Sequence, residues 1–354
     1  MSLKVVVACE TFVDVKGIIE SAGDIEVELL DPFEDTEPYI EAMKDADGAL
    51  VATWPLTGRD VLEACSRLKV VSRMGVGVDS IDLDAATELG VLACNVPGVN
   101  TVEVADHAMA MMLSILRRIP ETVAATREGK WSDDPALMRE YQESVDRVGG
   151  KTVGILGFGN IGRAFAQRVS GFGPKRIIAF DPYGYQSSAD LYGVQLVDLD
   201  ELWAESDIIS IHAPHTEATN HIINADSLAK MKSTAILINC ARGKLVDQVA
   251  LHAALRDGQI AFAGIDVTEV EPVASEDPIL TLPNCFVTPH LAGYSPTFLE
   301  ECGQKQAENV SFALTGRAPH GLANPDVIKT IAVQRSGDGG RWAGIPDFST
   351  GLPF

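Results

Sequence analysis

The first hundred residues alternate short apolar, β-branched runs with stretches of helical periodicity. Strands are predicted at Lys4–Glu10, Gly48–Trp54, Leu68–Met74 and Gly90–Asn95. Their near-continuous apolar character, with helical patterns between several of them, predicts a parallel sheet covered on both faces. Val102 to Arg118 carries apolar residues at helical spacing and closes on a basic pair, as a connecting helix would. The polar segment from Glu121 to Gly149, with Trp131 and the turn signal Asp134-Pro135, reads as a surface excursion. A second, stronger α/β pattern starts at Lys151. Its strands are expected at Thr152–Leu156, Arg176–Asp181, Asp207–Ile211, Ala235–Asn239, Ala261–Asp266 and Phe286–Thr288, with helices at Ile161–Val169, Val246–Arg256 and Ser295–Leu314. After Ile331 the chain turns polar and Gly-rich, and an extended tail is expected whose Trp342 and Phe348 pack on the body or on a partner subunit.

A length of 354 residues allows two domains with cores of their own. With 46% apolar and 22% charged residues the chain falls in the soluble globular class, and its longest apolar runs, such as Ile208 to Ala213, are far below membrane-spanning length. The strand-like start at Lys4 lacks the pattern of a signal peptide, so a cytoplasmic setting is the expectation. The six cysteines show no paired metal-ligand spacing and read as buried free thiols, with no metal expected. A formal net charge of -22 argues against a nucleic-acid partner and requires that any anionic substrate be held by a local positive site.

Gly157, Gly159 and Gly162 follow a predicted strand and open a helix, and Asp181 ends the next strand 19 residues beyond Gly162. Gly157 permits a tight turn, Gly159 lets a pyrophosphate approach the backbone, and Gly162 permits close helix packing. The N–H groups at the start of that helix, from Asn160 onward, would receive the pyrophosphate. Asp181 suits the two adenosine ribose hydroxyls and would repel a 2'-phosphate, so the expected cofactor is NAD(H) rather than its phosphorylated form.

Three polar segments follow later strands of the same sheet, Asn239 to Asp247, Ala263 to Pro272 and Thr288 to Ser295. They supply Arg242, Glu271 and His290. An arginine grips a planar carboxylate with paired donors, a histidine exchanges a proton near neutral pH, and a carboxylate orients it and favours its protonated form. Together they suit reduction of a 2-keto acid.

The glycine fingerprint, His212 to Thr219 ("HAPHTEAT"), the "ARGKLVD" segment, Asp266, Glu271-Pro272 and Pro289-His290 occur in the order seen in D-isomer-specific 2-hydroxyacid dehydrogenases. From about Lys4 to Val327 the chain resembles that family, leaning towards its phosphoglycerate dehydrogenase and C-terminal binding protein branches. The resemblance implies α/β architecture: a Rossmann doubly wound coenzyme domain plus a flavodoxin-like substrate domain, with the active site in the interdomain cleft. Residues 1–102 and 294–330 would form the substrate domain, 103–293 the NAD-binding domain and 331–354 a tail. It also implies Arg242 on the substrate carboxylate, Glu271 supporting His290, and His290 as acid/base, giving the D-2-hydroxy acid. Arg73, Gly75, Val76 and Gly77 would complete the carboxylate site as an anion nest. Thr101, Ile161, His212, Pro214, Thr219, Cys240, Ala241 and Asp266 would line the cofactor, Asp266 holding the nicotinamide carboxamide.

The partners implied are a small 2-keto or 2-hydroxy acid and a second copy in a homodimer. His107 reads as a helix-packing or interface residue. His215 replaces the family's usual leucine, Glu271 argues against formate dehydrogenase, which carries glutamine there, and no segment remains for a regulatory domain. The competing class is an NAD(H)-sensing protein-binding module with little or no turnover, as in the C-terminal binding protein corepressors.

Overall fold

The computed structural model describes residues 2–336 and 340–351. The chain divides into two compact units, Met1–Asn100 with Ser295–Phe354, and Thr101–Tyr294. In the first unit, strands β1 (Leu3–Ala8), β2 (Ile25–Leu29), β3 (Gly48–Val51), β4 (Val70–Arg73) and β5 (Leu92–Cys94) form a parallel sheet in the order β2-β1-β3-β4-β5. This is the flavodoxin-like doubly wound order. Successive side chains on each strand enter opposite cores. Val5, Val7, Leu50, Val70 and Leu92 pack with helix Pro296–Thr315, while Val6, Ala49, Val51, Val71 and Ala93 pack with Tyr39, Met43 and Leu62.

The second unit holds β6 (Thr152–Leu156), β7 (Arg176–Phe180), β8 (Val194–Leu196), β9 (Ile208–Ile211), β10 (Ile236–Asn239), β11 (Phe262–Ile265) and β12 (Cys285–Val287). Their order, β12-β11-β10-β9-β6-β7-β8, is the Rossmann arrangement with one added edge strand, all parallel. One face is covered by helices Thr101–Arg117 and Asn160–Ser170 through Ala108, Met112, Phe165 and Val169. The other is covered by Leu202, Leu228, Leu251 and Leu255. Because the strand order reverses between β6 and β9, the loops after their carboxyl ends flank a crevice, the usual ligand position in such sheets.

Three expectations need correction. Strands β2 and β8 were not foreseen. Both are edge strands; β2 is buried only at alternate positions, and β8 spans three residues. The polar excursion is helical, at Ile119–Arg127, Lys130–Asp133 and Pro135–Ser144, and Ala125 is the one buried residue of those helices. Over its described residues the segment after Ile331 is no extended tail; residues 337–339 and 352–354 lie outside the described residues. The chain is helical over Val327–Ser336, and Trp342 and Phe348 are fully buried in the core of the first unit, with ring centroids 5.2 Å apart. The Trp342 indole donates to Gly90 O at 2.7 Å, and Gln334 Nε2 to Leu89 O at 3.0 Å, so this segment clasps the chain just before β5.

Of the six free cysteines, five are buried and Cys285 is half-buried. Among the described residues no helix is long and apolar enough to cross a membrane.

Candidate active site on the nucleotide-binding unit

The turn after β6 shows why glycines stand where they do. Gly157 has φ +92°, and a Cβ there would lie 2.6 Å from Ala213 N. At Gly162 a Cβ would run into the carbonyl oxygen of Gly157, whereas at Gly159 none would meet anything within 4 Å. The turn is therefore closed by its first and third glycines and open at the second, where no side chain caps the helix beginning at Asn160. Those uncapped N–H groups can receive a pyrophosphate. At the end of β7, Asp181 accepts the Phe158 N–H at 2.8 Å and the Tyr183 N–H at 2.9 Å, which fixes its carboxylate where a ribose diol would be read. Ile161, half-buried, packs against the core of that face.

His212 follows β9, with Nε2 2.9 Å from Ser210 Oγ. Burial pushes its pKa down to about 3, so the ring is neutral, and its buried Nδ1 has no hydrogen-bond partner among the described residues. An orphaned polar atom beside the glycine turn is what a ligand group would satisfy. Pro214 and Thr219 are tied together, the Thr219 hydroxyl donating to Pro214 O at 2.8 Å. His215 turns to Asn220 Oδ1 at 3.0 Å. The chemistry and space of these residues fit a nicotinamide dinucleotide.

The candidate reactive groups come from the loops after β10, β11 and β12. Arg242 is extended before the turn Gly243–Leu245; its Nη1 donates to Ala241 O at 2.7 Å, while Asn239 Nδ2 holds its carbonyl at 3.0 Å. Asn239 Oδ1 also accepts the Ala241 N–H, and the buried Cys240 thiol lies 3.7 Å from Met111 Sδ. His290 Nδ1 donates to Glu271 Oε2 at 2.7 Å, and Glu271 Oε1 accepts the Thr268 N–H at 3.0 Å. Burial alone would raise the Glu271 pKa, but the His290 bond and charge, the Thr268 N–H and the Arg242 charge hold it below the ordinary value. His290 has φ +53°, an uncommon conformation for a residue with a Cβ. Its N–H donates to Asp266 O at 2.8 Å and to Thr288 O at 3.0 Å.

Asp266 is fully buried. Its carboxylate accepts the Thr288 hydroxyl at 2.5 Å, Leu291 N–H at 3.0 Å and Ala292 N–H at 2.8 Å. Both oxygens are thus engaged in bracketing the loop that carries His290. Sequence reasoning did not foresee this role, nor a second histidine–carboxylate pair, His221 Nε2 to Glu269 Oε1 at 2.6 Å. His221 also donates its N–H to Lys244 O at 2.9 Å, linking the turn after Arg242 to the loop of Glu271. The only sequence signal for either feature is a polar residue near a motif histidine or glutamate, which names no partner.

In the first unit, Thr101's neighbour Asn100 ends the segment, and the loop after β4 runs through Arg73, Gly75, Val76 and Gly77. Gly75 has φ +94°, and its N–H donates to the Cys302 thiol at 3.3 Å. Its carbonyl accepts Val96 N–H at 3.0 Å, and that of Val76 accepts Asn95 Nδ2 at 2.6 Å. In a trans peptide the N–H opposes the C=O. Pinning these two carbonyls therefore turns the N–H groups of Val76 and Gly77 the other way, while the Gly75 N–H is already used. Thr101 itself is the first residue of helix Thr101–Arg117 in the second unit.

Residues 109–292 match the family model described as D-isomer specific 2-hydroxyacid dehydrogenase, NAD binding domain. The chain is 37% identical over 323 residues to the D-3-phosphoglycerate dehydrogenase of Methanocaldococcus jannaschii, covering 91% of this chain and 59% of that protein. It is 40% identical over 307 residues to the glyoxylate reductase of Korarchaeum cryptofilum, covering 85% of this chain and 91% of the reductase. The NAD-dependent formate dehydrogenase of Staphylococcus aureus in complex with NAD superposes with a TM-score of 0.73 at 29% identity, over 85% of this chain and 92% of that enzyme.

 On the strength of the family model and of the two relatives, this chain belongs to the D-isomer specific 2-hydroxyacid dehydrogenase family, and its second unit carries that family's NAD-binding domain.

Proposed function

We propose that this chain interconverts a 2-keto acid and its D-2-hydroxy acid, with NAD(H) as the redox partner. The observation that carries the reading is the 2.7 Å bond between His290 and Glu271, on the same NAD-binding unit as Arg242. Bound NADH supplies the hydride. His290, with Nδ1 committed to Glu271, exchanges a proton with the substrate oxygen through Nε2. An ionised Glu271 stabilises positive charge on that ring as the proton is held ready. Arg242 pairs with the substrate carboxylate and stabilises the negative charge that develops on the keto oxygen. The N–H groups of Val76 and Gly77 and the Arg73 guanidinium are the further carboxylate donors in this reading, which they enter through the family resemblance. In the reverse direction a neutral His290 accepts the hydroxyl proton. Asp181 selects NAD over its 2'-phosphorylated form, and a homodimer belongs to the same proposal.

The test is NADH oxidation against glyoxylate, hydroxypyruvate, pyruvate, phenylpyruvate and 3-phosphohydroxypyruvate, with His290→Ala alongside. One acid should turn over, and the variant should lose at least about 10²-fold in kcat. Tight NADH binding with no turnover anywhere in the panel would count against the dehydrogenase reading and favour an NAD(H)-sensing protein-binding role.

A further inference from the structure

We propose that His107 is a positioning residue for His290, acting through Thr288 and Asp266; this rests on the acid/base reading of His290 given above. His107 stands on helix Thr101–Arg117, with Nε2 3.1 Å from Thr288 Oγ1 and 3.6 Å from Asp266 Oδ1. The direction of the bonds follows from the donors available. The Asp266 carboxylate receives N–H groups from Leu291 and Ala292, one on each oxygen, and accepts the single Thr288 hydroxyl proton at 2.5 Å. Thr288 Oγ1 is then an acceptor towards His107, so Nε2 of His107 carries the proton. The result is a one-way chain, from the His107 N–H through the Thr288 O–H to the Asp266 carboxylate.

What that chain holds is the backbone on both sides of the acid/base residue. Thr288 lies two positions before His290, Leu291 and Ala292 directly after it, and the His290 N–H itself binds Asp266 O at 2.8 Å. The φ of +53° at His290 persists only when its surroundings impose it. Asp266 is the clamp, Thr288 is its link to the helix, and His107 fixes the rotamer of that link. Removing the imidazole leaves Thr288 with an unmet acceptor and a freer side chain, and the clamp on the loop loosens. A small displacement of a group that must meet a substrate oxygen is expensive in rate, about 10²-fold for 1 Å.

The experiment compares His107→Leu, His107→Gln and Thr288→Val with wild type, using the 2-keto acid that wild type reduces and following NADH binding by fluorescence. His107→Leu should lower kcat about tenfold or more, with KM and NADH affinity within about twofold of wild type. His107→Gln, whose amide nitrogen can take the place of Nε2, should recover most of the loss. Thr288→Val, nearly the same shape, should reproduce the loss, and combining it with His107→Leu should add little more. Wild-type kcat in His107→Leu, or equal losses of kcat and NADH affinity in the leucine and glutamine variants, would overturn the proposal. If His107→Leu does not fold, Thr288→Val decides alone. Failure of wild type to reduce any 2-keto acid would overturn the reaction itself, a result distinct from normal wild-type turnover with undiminished variants.

Discussion

In the proposed reaction, Glu271 is the residue on which the chemistry of His290 turns. Its carboxyl is held below the ordinary glutamate value because, against the opposing effect of burial, it accepts from His290 and Thr268 and feels Arg242. A folded-state pKa below the unfolded one contributes stability that is fully present above the ordinary value of ~4.3 and is lost as pH falls through the lower folded value. Glu271→Gln should therefore lower kcat for 2-keto acid reduction by roughly 10–10²-fold, with little change in NADH affinity. In urea unfolding, the stability gap between wild type and Glu271→Gln should narrow as the pH is taken below ~4.3. The residue types at 242, 271 and 290 were legible from the sequence, since their chemistry is local to each side chain. The supporting contacts were not. The Gly75 N–H is taken by a thiol 227 positions away, and His107 reaches Thr288 across 181 positions, distances at which no sequence pattern names a partner.

Among the elements, the turn from β6 into helix Asn160–Ser170 was the most readable, because the requirement for glycine there is steric. Gly162→Ala would press a methyl into the carbonyl of Gly157. NADH affinity in that variant should fall by at least about tenfold, some 1.4 kcal/mol, while keto acid specificity among substrates still turned over stays as in wild type; isothermal titration with NADH checks the first part. Elements with little to bury were the ones missed. Strand β2 hides only alternate side chains, and helix Pro135–Ser144 has no buried residue at all. In a ten-residue helix the apolar positions Leu137, Met138 and Tyr141 are too few to stand out from a polar loop.

At the scale of the whole molecule, the parallel α/β character of both units was legible in the alternating strand and helix patterns, the doubly wound orders entered only through the family resemblance, and the fate of the last residues was not legible at all. Trp342, flanked by glycines and polar residues, looks solvated in sequence yet has no exposed surface. Trp342→Ala should cost the first unit about 3–5 kcal/mol, from lost burial and from the hydrogen bond left unmade at Gly90, measurable by denaturant unfolding. NADH affinity, a property of the other unit, should be unchanged. The packing of that segment also has a consequence for how the chain is made. Residues 101–294 are contiguous, so the nucleotide-binding unit can complete itself as soon as it leaves the ribosome. The first unit cannot: one side of its sheet stays open until the helix at Pro296–Thr315 and the residues around Trp342 and Phe348 have been synthesised. The segment translated first is therefore the last to close, and during that interval its apolar strands depend on rapid elongation or on a chaperone to remain unaggregated.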